Sequence, residues 1–469
     1  MKIIKNFFKP IDLTKGKPWK VILLFAIPIL LSTVLNSAFS LINALVLKET
    51  VGGTSVTAIN QTGSITSFLF NFAYGCTGGF AVLISNKCGS KDEDGIKKVF
   101  INSLFLSILI AAFISILGLL IYPYLFDILH TDITFIQKAS DYLEILLLSF
   151  IFMVLSNLLS NFLRGLGDAT VPLIISIIST LSNIMLAIFF TGYLNLDTKG
   201  VALATLISNI INIVITLTYM FKAYPFLKIK KNDIRLDYII IKDLLKLGLP
   251  LGFQWSILFI GSFVQASKLN EFGKFAQQAV SFYQPFEQYV TIPLSVISQV
   301  MLSYTGQNYG AKNIDRIKHG IKDAIVIDLI FYSIVLIISQ IIAKNVAYIF
   351  LPKEEINDDI IFYCSSYIKI ITPFLICQGL LQISRSILQG IKKTIIPFIS
   401  GIGELLARIF ICLLIPTLIN PSNPISNESY LGICFSTPLA WVTSLLIMGG
   451  SVIYIIYFKG IQFENSINK

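Results

Sequence analysis

Apolar residues in this chain come in long continuous runs, broken by short stretches of glycine, proline, asparagine and charge. Crossing about 30 Å of hydrocarbon as a helix takes about 20 apolar residues at 1.5 Å rise each. Twelve runs meet that length, at 20–46, 55–85, 99–125, 136–163, 170–192, 199–222, 244–268, 275–306, 324–350, 360–388, 394–419 and 432–458. A membrane β-barrel is excluded, because its strands read as short alternating segments. The pattern predicts an all-α integral membrane protein with 12 transmembrane helices.

The pattern is also written twice. Ile27-Pro28-Ile29 opens the first run, and Leu249-Pro250-Leu251 opens the seventh, 222 residues later. Asn86-Lys87-Cys88-Gly89-Ser90-Lys91 follows the second run, and Gln307-Asn308-Tyr309-Gly310-Ala311-Lys312 follows the eighth at an offset of 221. Phe162-Leu163-Arg164-Gly165 with Pro172 after the fourth run matches Ile387-Leu388-Gln389-Gly390 with Pro397 after the tenth, at an offset of 225 for the prolines. A repeat of six spans is even, so both copies enter from one face and are related by an axis along the membrane normal. The expected layout is a cytoplasmic segment 1–19, an N-terminal six-helix bundle 20–222, a basic linker 223–243, a C-terminal six-helix bundle 244–458 and a tail 459–469. Two such pseudo-symmetric bundles around a central cleft are a carrier's architecture; a channel tends to repeat as separate subunits.

Composition agrees: 55% of the 469 residues are hydrophobic and 13% charged, about half the charge of a soluble domain. The net charge of +10 could suggest a nucleic-acid partner, but its placement suggests topology. Twenty-seven of the 36 lysines and arginines fall in segments on the side of the N-terminus, with Arg385 counted among them, and seven on the other. That asymmetry puts both termini in the cytoplasm of a cell-membrane protein. The basic start leads into a first span too long for a signal peptide and without a small-residue cleavage site, so it is expected to stay. The six cysteines are scattered singly, without disulfide or zinc spacing. Two histidines, His130 and His319, and no GxxxxGK[ST] loop leave little basis for imidazole chemistry or nucleotide-driven work.

Three stretches then carry a resemblance: Gly306 to Lys318 (GQNYGAKNIDRIK), Arg164 to Pro172 (RGLGDATVP) and Gly200 to Thr205 (GVALAT), with Glu404 to Arg408 (ELLAR) beside them. In order and spacing the chain resembles the multidrug and toxic compound extrusion transporters. The resemblance implies a secondary active exporter, not an enzyme, that expels amphipathic, often cationic compounds by alternating access. It would need no cofactor beyond Na⁺ or H⁺ as coupling ion. Its partners would be a small organic substrate and membrane lipid, with no nucleic acid, and the chain would act as a monomer. One charge crossing 100 mV releases about 2.3 kcal/mol, enough for a roughly fiftyfold gradient. Family members often carry an acidic residue late in the first span, where this chain has Asn43, and an aspartate one turn after Asn183, where it has Ala187. Asn43, Asn183 and Thr205 therefore remain as neutral oxygen ligands, which bind a cation weakly.

Ionisable groups at membrane depth are costly and mark function by default. Glu287 lies in the eighth run near Pro285 and Pro293, beside Gln284. Glu404 and Arg408, four apart, share a helix face and can pair. They read either as a structural ion pair or as a cation relay tuned by the arginine. Glu144 and Lys369 carry opposite charge at positions matched by the repeat and are a possible gate. Asp328 is expected at the interface, and Asn36, Gln254, Gln378 and Gln382 are, with Gln284, further candidates for the cleft. The alternatives are a lipid-linked precursor flippase, which would want a cationic cleft, and a membrane-embedded transferase or a channel, for which no motif is present.

Overall fold

The computed structural model describes residues 10–128, 133–230, 233, 235–350 and 357–460. The basic residues at 2, 5 and 9, His130, Lys353 and the tail from 461 lie outside them. Twelve long helices run in order: α1 Pro18–Gln61, interrupted at Gly52 where φ is 80°, α2 Gly63–Gly89, α3 Glu93–Ile128, α4 Ile133–Gly165, α5 Thr170–Ile188, α6 Asp197–Ala223, α7 Tyr238–Asn270, α8 Lys274–Gly310, α9 Ile314–Ile342, α10 Asp358–Gly390, α11 Ile395–Ile419 and α12 Asn427–Lys459. Among the described residues, eleven are long and apolar enough to cross a membrane. The exception is α8, which has the length but carries Gln277, Gln278, Gln284, Glu287, Gln288 and Gln299. Large apolar side chains such as Phe113, Leu120, Ile341, Leu418 and Leu446 are left exposed on helix surfaces, an arrangement suited to lipid rather than water.

The chain divides into two compact units, one of Met1–Leu13 and Leu24–Gly252, the other of Thr14–Leu23 and Phe253–Lys469. In the first, α4 packs against α2, α3 and α6; in the second, α10 packs in the same way against α8, α9 and α12. The repeat reaches the backbone. After α2, Lys91 adopts φ 55°, and after α8, Lys312 adopts φ 57°. Each closes its helix with the same pair of hydrogen bonds: Lys91 N to Cys88 O and Asp92 N to Lys87 O, against Lys312 N to Tyr309 O and Asn313 N to Asn308 O. These are Schellman caps with lysine where glycine is usual. The next residue then caps the following helix: Asp92 accepts from Gly95 N, and Asn313 from Arg316 N. A second pair follows α4 and α10, with Gly167 at φ 89° and Lys392 at φ 63°.

The sequence segmentation starts the second bundle at 244, whereas the first half of α7, through Gly252, packs with the first unit. The linker is tied to α3 by an ion pair between Lys97 and Asp233 and by Asp237 N donating to Asn102 Oδ1 at 3.0 Å. Asp237 then caps α7, accepting from Ile239 N and Ile240 N. Beyond it, Gly75 and Gly79 of α2 meet Gly248 and Gly252 of α7. A Cβ on Gly75 would stand 2.6 Å from the Leu251 carbonyl oxygen, and one on Gly79 2.6 Å from Gly248 Cα. Two GxxxG faces in contact bring the backbones together where lipid supplies no hydrophobic drive. A Cβ built at Gly252 would lie 2.7 Å from Cys76 Sγ, within disulfide range after a small shift. We expect Gly252→Cys to form a disulfide with Cys76 under mild oxidation. It would be read as two fragments that stay linked after cleavage between the positions and separate on reduction; no linkage would rule out this crossing.

Candidate functional site

The second unit lines an open cavity of about 530 Å³, within the usual range for small-molecule sites. Five helices line it, each with one face. From α8 come Gln284, Glu287, Gln288, Thr291 and Ser295; from α10 come Tyr367, Gln378, Gln382 and Arg385. The spacings of three, four, seven and eleven place each set on one stripe. Helix α7 adds Trp255, Ser262 and Gln265, α11 adds Glu404 and Arg408, and α12 adds Thr437 and Trp441. The polarity that keeps α8 from reading as an ordinary span is thus the polarity of this wall.

Two networks order the charges. Arg408 Nη2 donates to Glu404 Oε1 at 3.2 Å and its Nη1 to Gln265 Oε1 at 3.1 Å, while Thr437 Oγ1 donates to the same Gln265 oxygen at 2.7 Å. Glu404 and Arg408 are almost sealed from solvent, at 4% and 9% exposure. Tyr367 OH donates to Glu287 Oε2 at 3.1 Å, and its ring stacks on Tyr283 with centroids 3.6 Å apart and planes at 13°. Arg385 places its guanidinium over the Trp255 ring, 5.7 Å from the centroid. Several buried polar atoms here lack a hydrogen-bond partner, among them Glu404 Oε2, Gln378 Oε1, Tyr283 OH and Arg385 Nε. Such atoms cost free energy unless a bound molecule or water meets them, so the cavity is polar, aromatic and unsatisfied. It can hold an aromatic cation between carboxylates and ring faces.

Of the residues singled out from sequence, Gln284, Glu287, Gln378, Gln382, Glu404 and Arg408 line this cavity. Gln254 does not: its Cγ lies 3.1 Å from where a Cβ on Gly401 would stand, and both its amide atoms are buried without partners. Asn43, Asn183 and Thr205 come together in the first unit. Asn43 Nδ2 donates to Asn183 Oδ1, and Asn183 Nδ2 to Thr205 Oγ1 and Ser208 Oγ, all at 3.4 Å. Nearby, Ala187 is buried in an apolar cluster with Leu47, Val201 and Ala204. Among the described residues no group of three His, Cys, Asp or Glu could hold a metal. In the possible gate, Glu144 accepts from the Tyr122 hydroxyl, and Lys369 is exposed, with its carbonyl accepting from Gln340 Nε2.

Two expectations are corrected. Asp328 is not interfacial: it is fully buried, its carboxylate oxygens have no hydrogen-bond partner, and Oδ2 lies against Gly379 of α10. The helix begins at Ile314, ten residues before the apolar run, which shifts Asp328 to mid-helix. Arg385, counted from sequence with the basic loops, lies inside α10 and in the cavity wall. Gln265, Tyr367, Thr437, Trp255 and Trp441 were not singled out either. Outside the spans, burial pushes the Asp168 carboxyl up, against the Tyr219 hydroxyl and the Val171 and Thr170 N–H groups that favour its charged form.

Comparison with known proteins bears on what such a site serves. The family model described as MatE matches residues 28–189 and 250–414. The chain belongs to the multidrug and toxic compound extrusion (MATE) family. Among MATE relatives, the probable multidrug resistance protein YoeA of Bacillus subtilis is 27% identical over 350 residues, covering 73% of this chain and 76% of its own. The multidrug export protein MepA of Staphylococcus haemolyticus is 22% identical over 376 residues, covering 79% and 81%. A solved outward-facing multidrug resistance MATE transporter matches with TM-score 0.84 at 22% identity, over 95% of this chain and 98% of its own. A transporter of the wider superfamily from Pyrococcus furiosus, described by the reverse polarity of its binding pocket, matches with TM-score 0.85 at 22% identity, over 95% and 99%. The fold is therefore the MATE fold of 12 helices in two lobes, and the chain is a multi-pass membrane protein.

Proposed function

We propose that this MATE protein is a secondary active exporter of amphipathic, mainly cationic molecules. It would sit in the cell membrane with both termini cytoplasmic and be driven by inward Na⁺ or H⁺ movement. The observation that carries the reading is the cavity of the second unit, where Glu287 and Glu404 stand among Tyr283, Tyr367, Trp255 and Trp441. Carboxylates answer both a coupling cation and a cationic substrate, so entry of one can displace the other. The names of YoeA and MepA point the same way. The Asn43–Asn183–Thr205 cluster has only neutral oxygens, so coupling is assigned to the second unit.

In cells stripped of their own exporters, expression of this chain should lower ethidium accumulation severalfold. An ionophore that collapses the membrane gradients should restore accumulation while ATP is still present. Unchanged accumulation on expression, or extrusion that persists without gradients, would refute the proposal.

A further inference from the structure

We infer that the cavity of the second unit selects amphiphiles that carry an anionic group as well as a cation, with Arg385 holding the anion. The inference rests on that cavity being the substrate site. Arg385 is 9% exposed, and its guanidinium carbon stands over the Trp255 ring, 5.7 Å from the centroid. Its Nε is buried without a partner, and among the described residues no acceptor is hydrogen-bonded to it. The carboxylate whose field reaches it is Glu404, whose Oε1 already receives Arg408. Its neighbours on the α10 face of the cavity are neutral, Gln378 and Gln382. A guanidinium placed in this way, beside a ring face and with its donors unused, is suited to a planar anion such as a carboxylate, which it can meet with two parallel hydrogen bonds.

The register of the helices places the two ends of the site. Ser298 Oγ of α8 lies 2.7 Å from Ser386 Oγ of α10, and it donates to Gln382 O, so Arg385 is level with Ser298. Glu287 lies eleven residues earlier on α8, about 16 Å along the helix axis. The cation end is thus the carboxylate of Glu287 with the stacked Tyr283 and Tyr367. The anion end is Arg385 with Trp255, so the cavity presents its cation site and its anion site at different levels of α8.

Two of the three tryptophans, Trp255 and Trp441, line the cavity, so binding can be read as quenching of their fluorescence in the full-length purified protein. The probes are rhodamine B, which carries a free carboxylate, and its ethyl ester, which keeps the cation and loses the anion. Wild-type protein should bind the carboxylate dye at least tenfold more tightly than the ester. Arg385→Gln should bring the two affinities within twofold of each other, and Arg385→Lys should retain part of the preference. Equal affinities in the wild type, or an unchanged preference in Arg385→Gln with a normal melting profile, would overturn the inference while leaving the site intact. Absence of saturable quenching by either dye would instead remove the site itself.

Discussion

Arg408→Leu is expected to lower the unfolding free energy of the purified protein by about 3–5 kcal/mol, the usual cost of removing one partner from a buried ion pair. The reason is what remains. Glu404, at 4% side-chain exposure, would lose the guanidinium that meets its Oε1, and its other oxygen has no protein partner. Gln265 would lose one of its two donors and keep Thr437. The combined Glu404→Gln and Arg408→Gln change removes both charges together and is expected to cost much less than the single arginine change. Thermal melts of the three proteins in one detergent check this. Equal destabilisation by the single and the double change would show that packing, not charge, holds this corner.

The second large effect concerns transport. Glu287→Gln combined with Glu404→Gln should reduce ethidium export at least tenfold, because these are the cavity's carboxylates. Asn43→Ala with Asn183→Ala should reduce it less than threefold. Their hydrogen bonds are all 3.4 Å long, and no carboxylate stands at Ala187 to give the cluster charge. Initial efflux rates at matched expression decide it. A larger loss from the asparagine pair than from the glutamate pair would move the coupling site to the first unit.

Much of this was legible in the amino-acid sequence because it is local. Run length predicts the helices, and the matched stretches after the second and eighth runs predict a repeat, which the structure carries down to matching cap hydrogen bonds. The spacing of Glu404 and Arg408 predicts their ion pair. What was not legible depends on packing between distant segments. Gln265 and Thr437 are 172 residues apart and meet at 2.7 Å, and Tyr367 reaches Glu287 from another helix. Arg385 did leave a signal, since Gln378, Gln382 and Arg385 repeat at helical spacing inside an apolar run. It is counted with Lys392 and Lys393 although it falls inside the tenth run, 360–388. Asp328 was misplaced for a similar reason: α9 starts well before its apolar run, so the run's edge is not the helix's edge.

The central claim is that carboxylates of the second unit, not the neutral cluster of the first, couple export to an ion gradient. Its most direct test is dye transport by the purified protein in proteoliposomes, with Na⁺ and H⁺ gradients imposed one at a time. The account predicts that one of the two gradients drives transport against the dye's own gradient, both in the wild type and in the Asn43→Ala, Asn183→Ala protein, but not once Glu287 and Glu404 are glutamine. Transport that still follows the gradient without those two carboxylates would contradict it.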